Sequence, residues 1–264
     1  MKLTKKLLPA LGMLALSACM LVTSTFAWFS MNDNVKVSDM TITAKGDQVY
    51  LQIVAGKETS AFVNGDDQIT AEATNKTGEL LPTNVKADSS TWDDYNGGNT
   101  FVWAKATGTA PDDADKKGNY SVATNSGDTK YYLENSFMVR LDPTAGAANA
   151  SGALRVSGVN FAEGENVDAL GETVCVLVVC GTNSQLYTYD ATQDEFVKNA
   201  KSNEYLDGTM IDSTPLFDNT TGVQVDVYVF FNGDHDNCTL AALAAAKAAG
   251  YNNYAVEVTF TVAA

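Results

Sequence analysis

Few residues of this chain could do catalytic chemistry, and the first to consider is its single histidine, His235. Asp234 and Asp236 flank it, but adjacent residues of a turn point in different directions, so we expect a solvated turn rather than a metal site. A zinc protease needs two histidines at helical spacing with a glutamate base, as in HExxH. The GxSxG motif of serine hydrolases is also absent. The sequence therefore predicts no catalytic residue, no metal ligand and no cofactor.

Acidic residues occur in adjacent pairs, Asp93-Asp94 and Asp112-Asp113, inside polar stretches. A glycosidase needs two carboxylates facing each other across a cleft, which sequence spacing does not show. The D-x-[DN]-x-[DN]-G pattern of a calcium loop is missing. We interpret these acids as solvated surface groups, with at most weak calcium sites.

Aromatic residues interrupt the stretch 87–129, which is rich in Asp, Gly, Asn, Ser and Thr. Trp92, Tyr95 and Trp103 are the candidates for ligand contact. Exposed aromatics in such loops stack on sugar rings, whereas buried ones plug the open end of a β-sandwich. The first arrangement indicates a monomeric secreted binding module for glycans or host proteins, and the second a structural role.

The N-terminus has the layout of a secretory signal peptide, with three lysines by residue 6 and then an uncharged, mostly apolar run. Thr25 and Ala27 supply the small residues before a cut, so the mature chain begins at Trp28. Two alternatives stay open: lipidation at Cys19, which ends a Leu-Ser-Ala-Cys lipobox, or no cleavage and a membrane anchor. All three place the body outside the cytoplasmic membrane, with membrane contact through the N-terminal segment alone.

Charge and length narrow the class of protein further. Without residues 1–27, the chain of 264 residues keeps 14 of its 17 basic residues and all 32 acidic ones, so its formal charge falls from −15 to −18. Nucleic acid is excluded as a partner because phosphate binding needs clustered Lys and Arg. No repeat or proline-rich linker divides residues 28–264, so we predict a single extracellular or cell-surface domain.

Cysteine usage does not predict a disulfide framework. Beyond Cys19 the chain has Cys175, Cys180 and Cys238, an odd number. If the first two share a strand they point to opposite faces and cannot bridge each other, although either could pair with Cys238. The simpler interpretation is three small buried side chains.

Alternating apolar and polar residues predict strand after strand. The candidates are 35–44 (with a bulge near Ser38-Asp39), 49–54, 60–63, 68–73, 101–103, 130–141, 154–161, 173–179, 186–190, 223–231 and 254–262. Between 87 and 129 the composition predicts long polar surface loops around one strand.

Two strands and one helix suggest the architecture. The run 173–179 (TVCVLVV) is apolar on both faces, as a central strand would be, and 223–231 (VQVDVYVFF) has one apolar face. The only clear helix is the Ala-rich segment 238–250, which Thr239 can cap and Gly250 can end. Many strands with one short helix predict an all-β, antiparallel β-sandwich of jelly-roll type.

Both ends of the chain resemble a known family. The signal runs into Thr25-Phe26-Ala27-Trp28-Phe29-Ser30 with an alternating strand directly after it. Near the other end, VDVYVFF leads through an acidic loop to Cys238 and the strand YAVEVTFTV. The N-terminal motif resembles the TasA and camelysin family of Firmicutes surface and biofilm-matrix proteins. The C-terminal motif looks like the ending of many related clostridial exported proteins, with Phe230-Phe231 where the family commonly has Trp-Phe. The resemblance implies export through a dedicated signal peptidase.

The resemblance also implies a jelly-roll subunit that assembles into fibres by donating its N-terminal strand to the next subunit. In this chain the strand is 34–44, about 35 Å long at about 3.3 Å per residue. An open sheet edge accepts such a strand by β-augmentation. The side chains buried by the exchange would be Val35, Val37, Met40 and Ile42. The alternative is a monomer in which the segment is an ordinary first strand. The implied partners are further copies of the chain or related exported subunits, in a main or an accessory role.

Overall fold

The computed structural model describes residues 42–46, 51–64, 68, 70–73, 80–106, 120–127, 130–143, 152–162, 170–207, 222–239, 241–242, 244–245 and 254–263. Within these ranges the chain forms thirteen strands. They are β1 (Ile42–Gly46), β2 (Leu51–Ala55), β3 (Thr70–Glu72), β4 (Asn84–Lys86), β5 (Val102–Ala106), β6 (Tyr120–Val122), β7 (Leu133–Leu141), β8 (Ala153–Phe161), β9 (Val174–Cys180), β10 (Asn183–Asp190), β11 (Glu195–Lys198), β12 (Val223–Phe231) and β13 (Val256–Ala263).

The strands form a four-stranded sheet, a six-stranded sheet and a small three-stranded sheet. Their orders are β3-β1-β13-β8, β11-β10-β9-β12-β7-β2 and β4-β5-β6. The chain crosses repeatedly between the two larger sheets, from β1 to β2 to β3, from β7 to β8 to β9, and from β12 to β13. Such crossing connections are typical of jelly-roll sandwiches, and the predicted all-β sandwich is confirmed. One pair departs from the antiparallel rule, because β1 runs parallel to β13.

The main core lies between the four- and six-stranded sheets. Strand β12 shows how the sequence builds it, since Val225, Val227, Val229 and Phe231 alternate along the strand and are all completely buried. The four-stranded sheet contributes alternate residues of β13 to the same core, including Val258. Period-two alternation therefore sends one face of each strand into the same apolar layer.

A second core lies on the opposite face of the six-stranded sheet. The intervening residues of its central strands, among them Cys175, Leu177 and Phe230, pack against Val85 and Trp103 of the small sheet. Residues 87–101 form a surface loop without a strand, as predicted, but the prediction of only one strand over 87–129 is wrong. Strand β6 accompanies β5 there, and both pair into a layer that covers the sandwich.

Other local predictions differ from the structure in short segments whose apolar and polar residues do not alternate clearly. The predicted strand 60–63 begins in a single turn of 3-10 helix, Thr59–Ala61, and the short strands β4, β6 and β11 escaped prediction. In the predicted helix 238–250 the described residues 241, 242, 244 and 245 are helical. The Ala242 amide donates to Thr239 Oγ1 at 3.0 Å, as an N-cap would. The full length of that helix stays a prediction.

The position of β1 inside the main core yields a direct test. Replacing Ile42, which is completely buried, by alanine should lower the free energy of unfolding by about 2–5 kcal/mol, because the smaller side chain leaves a cavity. Thr43→Ala, one residue further on the outward face, should cost less than about 1 kcal/mol. Urea unfolding of both variants at a concentration where the protein is monomeric makes the comparison. Equal costs would mean that β1 does not contribute to the core.

Candidate functional site

The first strand of the described chain lies inside a sheet and not at its edge. Strand β1 is flanked by β13 on one side and β3 on the other. Its residues Ile42 to Gly46 pair in parallel with Val256 to Phe260 of β13. On its other side it pairs antiparallel with β3, where Thr43 lies opposite Glu72. We call this position, between β3 and β13, the β1 slot.

Side chains and backbone both hold β1 in the slot. Ile42 and Ala44 are completely buried in the main core, whereas Thr43 lies on the outward face. The Ala73 amide donates to the Ile42 carbonyl at 2.9 Å, which extends the pairing with β3. Removing β1 would leave unpaired backbone groups on both neighbouring strands, and an unpaired buried group is costly. The slot therefore has to be filled by a strand.

Most of the predicted donor and cleavage residues lie outside the described residues. These are Thr25, Ala27 and Trp28 at the predicted cut, and Val35, Val37 and Met40 of the predicted donor strand. Ile42, the last donor candidate, is described and contacts its own chain. In this single chain its own β1 fills the slot, and donation to another subunit stays a prediction.

The outer strands of the two large sheets carry extra contacts that occupy part of their edges. On β8, the Leu154 amide donates to the Asp207 carbonyl at 2.7 Å. Two residues further, the Val156 amide donates to the side chain of Gln185 at 3.2 Å. On β2, the Ile53 amide donates to the Gln68 carbonyl at 2.7 Å. The β1 slot differs from these edges because strands flank it on both sides.

Two of the three predicted ligand-contact aromatics are buried. Trp103 on β5 stacks on Tyr132 with ring centroids 4.3 Å apart and also meets Phe230 edge-on. Tyr95 is buried, and its hydroxyl lies 2.6 Å from Ser184 Oγ on β10. Both side chains thus join the small layer to the six-stranded sheet. The prediction that they present their rings to a ligand is wrong, because neither ring faces solvent.

Trp92 is the remaining aromatic candidate, and it is half-buried. Its backbone has φ of +55°, a left-handed conformation that a bulky residue rarely adopts. Its ring lies 5.7 Å from the ring of Tyr120. The contact places Trp92 over a polar group of side chains that the sequence did not predict.

That polar group surrounds a buried lysine, Lys86, on β4. Lys86 Nζ lies 2.9 Å from Asp94 Oδ1 and 2.9 Å from Asp234 Oδ2. Asn84 Nδ2 donates to Asp234 Oδ2 at 2.5 Å, and Tyr120 Oη donates to Asp234 Oδ1 at 2.7 Å. We call these five residues the Lys86 cluster. It joins β4 and β6 of the small sheet to the turn that follows β12.

Burial and charge act in opposite directions on Lys86, which is 3% exposed. Burial lowers the pKa of the Lys86 ammonium, but the Asp234 and Asp94 carboxylates outweigh it, so the net pKa is raised. Burial also raises the pKa of the Tyr120 phenol, with the Asp234 charge as a second cause. At neutral pH Lys86 is therefore an ammonium, and the Tyr120 phenol is a further, neutral donor.

Sequence reasoning missed the cluster because its members are far apart in the chain. Lys86 and Asp234 are separated by 148 positions. Asp93 and Asp94 are solvent-exposed as predicted, although Asp94 also pairs with Lys86. Asp112-Asp113 lies outside the described residues. No local signal was available, because Lys86 has the same strand parity as the polar Asn84 and not that of Val85.

The histidine lies in a hydrogen-bonded turn, and the three described cysteines are buried in the protein. His235 Nδ1 accepts a hydrogen bond from the Asn237 amide at 3.1 Å inside the turn after β12. Cys175, Cys180 and Cys238 are buried and free. Burial raises the pKa of all three thiols, and that of Cys180 and Cys238 to about 12. The thiols are thus protonated at neutral pH and poor nucleophiles.

Metal centres and membrane-spanning helices are both missing from the part of the chain that the structure describes. No group of three or more His, Cys, Asp and Glu side chains is arranged there to hold a metal ion. The described residues also include no helix with the length and apolarity needed to cross a bilayer.

The different burial of the two tryptophans can be tested by substitution. Trp103→Ala should lower the free energy of unfolding by about 3–5 kcal/mol, because it empties the centre of the second core. Trp92→Ala should cost less than about 2 kcal/mol, since the side chain is half-buried. Denaturant unfolding followed by circular dichroism measures both. A larger cost at Trp92 than at Trp103 would contradict the assignment of Trp103 to the core.

Comparison with known proteins adds no relative to this description. No family model, no curated protein and no solved structure matches the chain. The candidate sites of the described chain are therefore the β1 slot and the Lys86 cluster, each defined by its own geometry.

Proposed function

We propose that this protein is a secreted structural subunit of the cell surface that assembles into fibres or biofilm matrix by exchange of its N-terminal strand. The observation that carries the proposal is the β1 slot: the first described strand is inserted between β3 and β13. It is supported by the resemblance of the N-terminal motif to the TasA and camelysin family. Further copies of this chain, or related exported subunits, are the partners.

Exchange of β1 between subunits should cost little interaction energy. A second copy of the chain carries an identical β1, which would make the same pairing with β3 and β13 and bury the same Ile42 and Ala44. The hydrogen bonds and apolar burial that β1 gives up in its own subunit form again in the next, so the net cost is mainly entropic. Domain swapping of this kind is a low-cost route to association. When each subunit donates in one direction, the contact is head-to-tail and builds a filament.

Position in the chain favours β1 over any other strand as the donor. A mature chain that begins at Trp28 has only residues 28–41 before Ile42, so β1 lies close to the N-terminus of that chain. The upstream residues Val35, Val37 and Met40 would extend the donated segment beyond the start of β13.

Export completes the proposal. The N-terminal segment is the sole membrane contact and delivers the body outside the cytoplasmic membrane, after which signal peptidase cuts behind Ala27. The acidic body, with its formal charge of −18, makes nucleic acid an unsuitable partner. No catalytic role and no cofactor form part of this function. The binding-module alternative is weakened because Tyr95 and Trp103 are buried.

Cysteine pairs report whether the slot is filled by the same chain or by another. Deleting β1 would remove core side chains, so we choose Thr43→Cys with Glu72→Cys, whose positions face each other across β1 and β3. In filaments of the mature protein from Trp28, mild oxidation should yield a ladder of covalent oligomers on a non-reducing gel. Each bond then joins β1 of one copy to β3 of the next.

A hairpin pair serves as the matched control. Thr188→Cys with Val197→Cys also sits across an antiparallel pair, β10 and β11, but cannot exchange, so its bond should stay within one chain. Negative-stain microscopy of the same samples identifies the filaments. Filaments whose Thr43/Glu72 pair closes only within single chains would disprove strand exchange. Monodisperse particles at every concentration would disprove a self-assembling subunit.

A further inference from the structure

The Lys86 cluster is not used by strand exchange and is unusual for its composition. Lysine is almost never fully buried unless it is paired, and here the Lys86 side chain is 4% exposed. A buried ion pair stabilises a fold weakly, because taking both charges out of water costs about as much as their attraction returns. This desolvation cost would disappear if the ammonium and the carboxylate reacted to form a neutral amide.

From the contact of Lys86 Nζ with the Asp234 carboxylate at 2.9 Å, between Asp94 and Tyr120, we propose that Lys86 and Asp234 condense into an intramolecular isopeptide bond. The bond would make this cluster a site of self-modification. It is independent of the fibre proposal, because each copy of the chain contains the whole cluster.

The reaction balances without a co-reactant. The reactants are an ammonium and a carboxylate, and the products are a neutral secondary amide and one water molecule. Two protons leave Lys86 Nζ, the nitrogen lone pair forms a bond to Asp234 Cγ, and the bond from Cγ to Oδ2 breaks. Both protons leave with Oδ2 as water. No net proton is taken up or released, and nothing is oxidised or reduced.

Two neighbours have defined roles in that step. Asp94 Oδ1, 2.9 Å from Nζ, accepts a proton from the ammonium and passes it towards the leaving oxygen, as a general base and acid does. Its side chain is 83% exposed, so it exchanges protons freely with water. Tyr120 Oη donates to Asp234 Oδ1 at 2.7 Å. That oxygen remains in the amide, and the phenol stabilises the negative charge that it carries in the tetrahedral intermediate.

Asn84 directs the leaving group. Its Nδ2 donates to Asp234 Oδ2 at 2.5 Å, the same oxygen that Lys86 contacts, and so fixes the orientation of the carboxyl group. The two oxygens of Asp234 therefore have different partners: a phenol on the one that stays, and an amide and the ammonium on the one that leaves. This asymmetry orients Cγ before the reaction, which is how positioned groups accelerate an intramolecular step.

The product would be a covalent connection between two layers of the fold. It would join β4 of the small sheet to the turn after β12, closing a loop across 148 positions. A cross-link of that span restricts the unfolded chain in the way a disulfide does. Disulfides usually serve this purpose in exported proteins, yet the cysteines in the described chain are free.

Intact-mass spectrometry of the folded mature protein from Trp28 is the test. The expected mass is lower than that of the sequence by one water molecule, and a tryptic digest should contain one branched peptide that includes both Lys86 and Asp234. Lys86→Arg should show the full mass, because a guanidinium does not form this amide. Lys105→Arg, which changes a lysine of the same small sheet, should still lose water.

Further variants separate the bond from other sources of water loss. Asp94→Asn should slow its formation by about 100-fold or more, the usual effect of losing a general base. Succinimide formation at the Asp207-Gly208 dipeptide would also remove one water molecule. That water loss would still occur in Lys86→Arg and would give no branched peptide. Either that outcome, or an unchanged full mass after prolonged incubation of the folded wild type at neutral pH, would overturn the proposal.

Discussion

Strand β9 carries apolar side chains on both of its faces, and Tyr228 and Phe230 of β12 extend the second of these, so the six-stranded sheet needs a cover on each side. The four-stranded sheet covers one face and buries Val225, Val227 and Val229. The small sheet covers the other and buries Leu177 and Phe230. Two aligned apolar faces on one sheet force a third layer, because exposed strands of this composition would associate with other chains. The four-stranded sheet and the small sheet are each held in place by contacts between distant segments of the chain.

The first cover depends on a strand from the beginning of the chain. Strand β1 lies between β3 and β13, and its pairing with β13 is parallel, so the N-terminal strand of the described chain and its C-terminal strand lie side by side. A parallel neighbour cannot be reached by a tight turn and must come from a distant segment. That segment can come from the same chain or from an identical one, and this equivalence is the physical basis of the fibre assembly that we propose.

The second cover depends on polar attachment as well as on apolar contact. The Thr83 amide donates to the Phe231 carbonyl at 2.9 Å, and the Gly233 amide donates to the Thr83 carbonyl at 2.8 Å. These bonds bring the turn after β12 against the start of the small sheet. The Lys86 cluster follows directly, because Asp234 is the next residue of that turn. A loop rich in acids in the sequence thus becomes the partner of the one lysine that the small sheet buries in the described chain.

Local pattern was sufficient for the long strands and insufficient for everything that depends on distant contacts. The alternation in 223–231 matches β12 residue for residue, and the doubly apolar run 173–179 is the central strand β9, because side-chain period and burial are local properties. Trp103 and Tyr95 looked like loop aromatics, since composition reports polarity and not what lies above a side chain. The sequence by itself determined the fold class, the acidic charge and which residues alternate. Only the tertiary structure decided that β1 fills an internal slot and that Lys86 meets Asp234, because both depend on contacts between segments far apart in the chain.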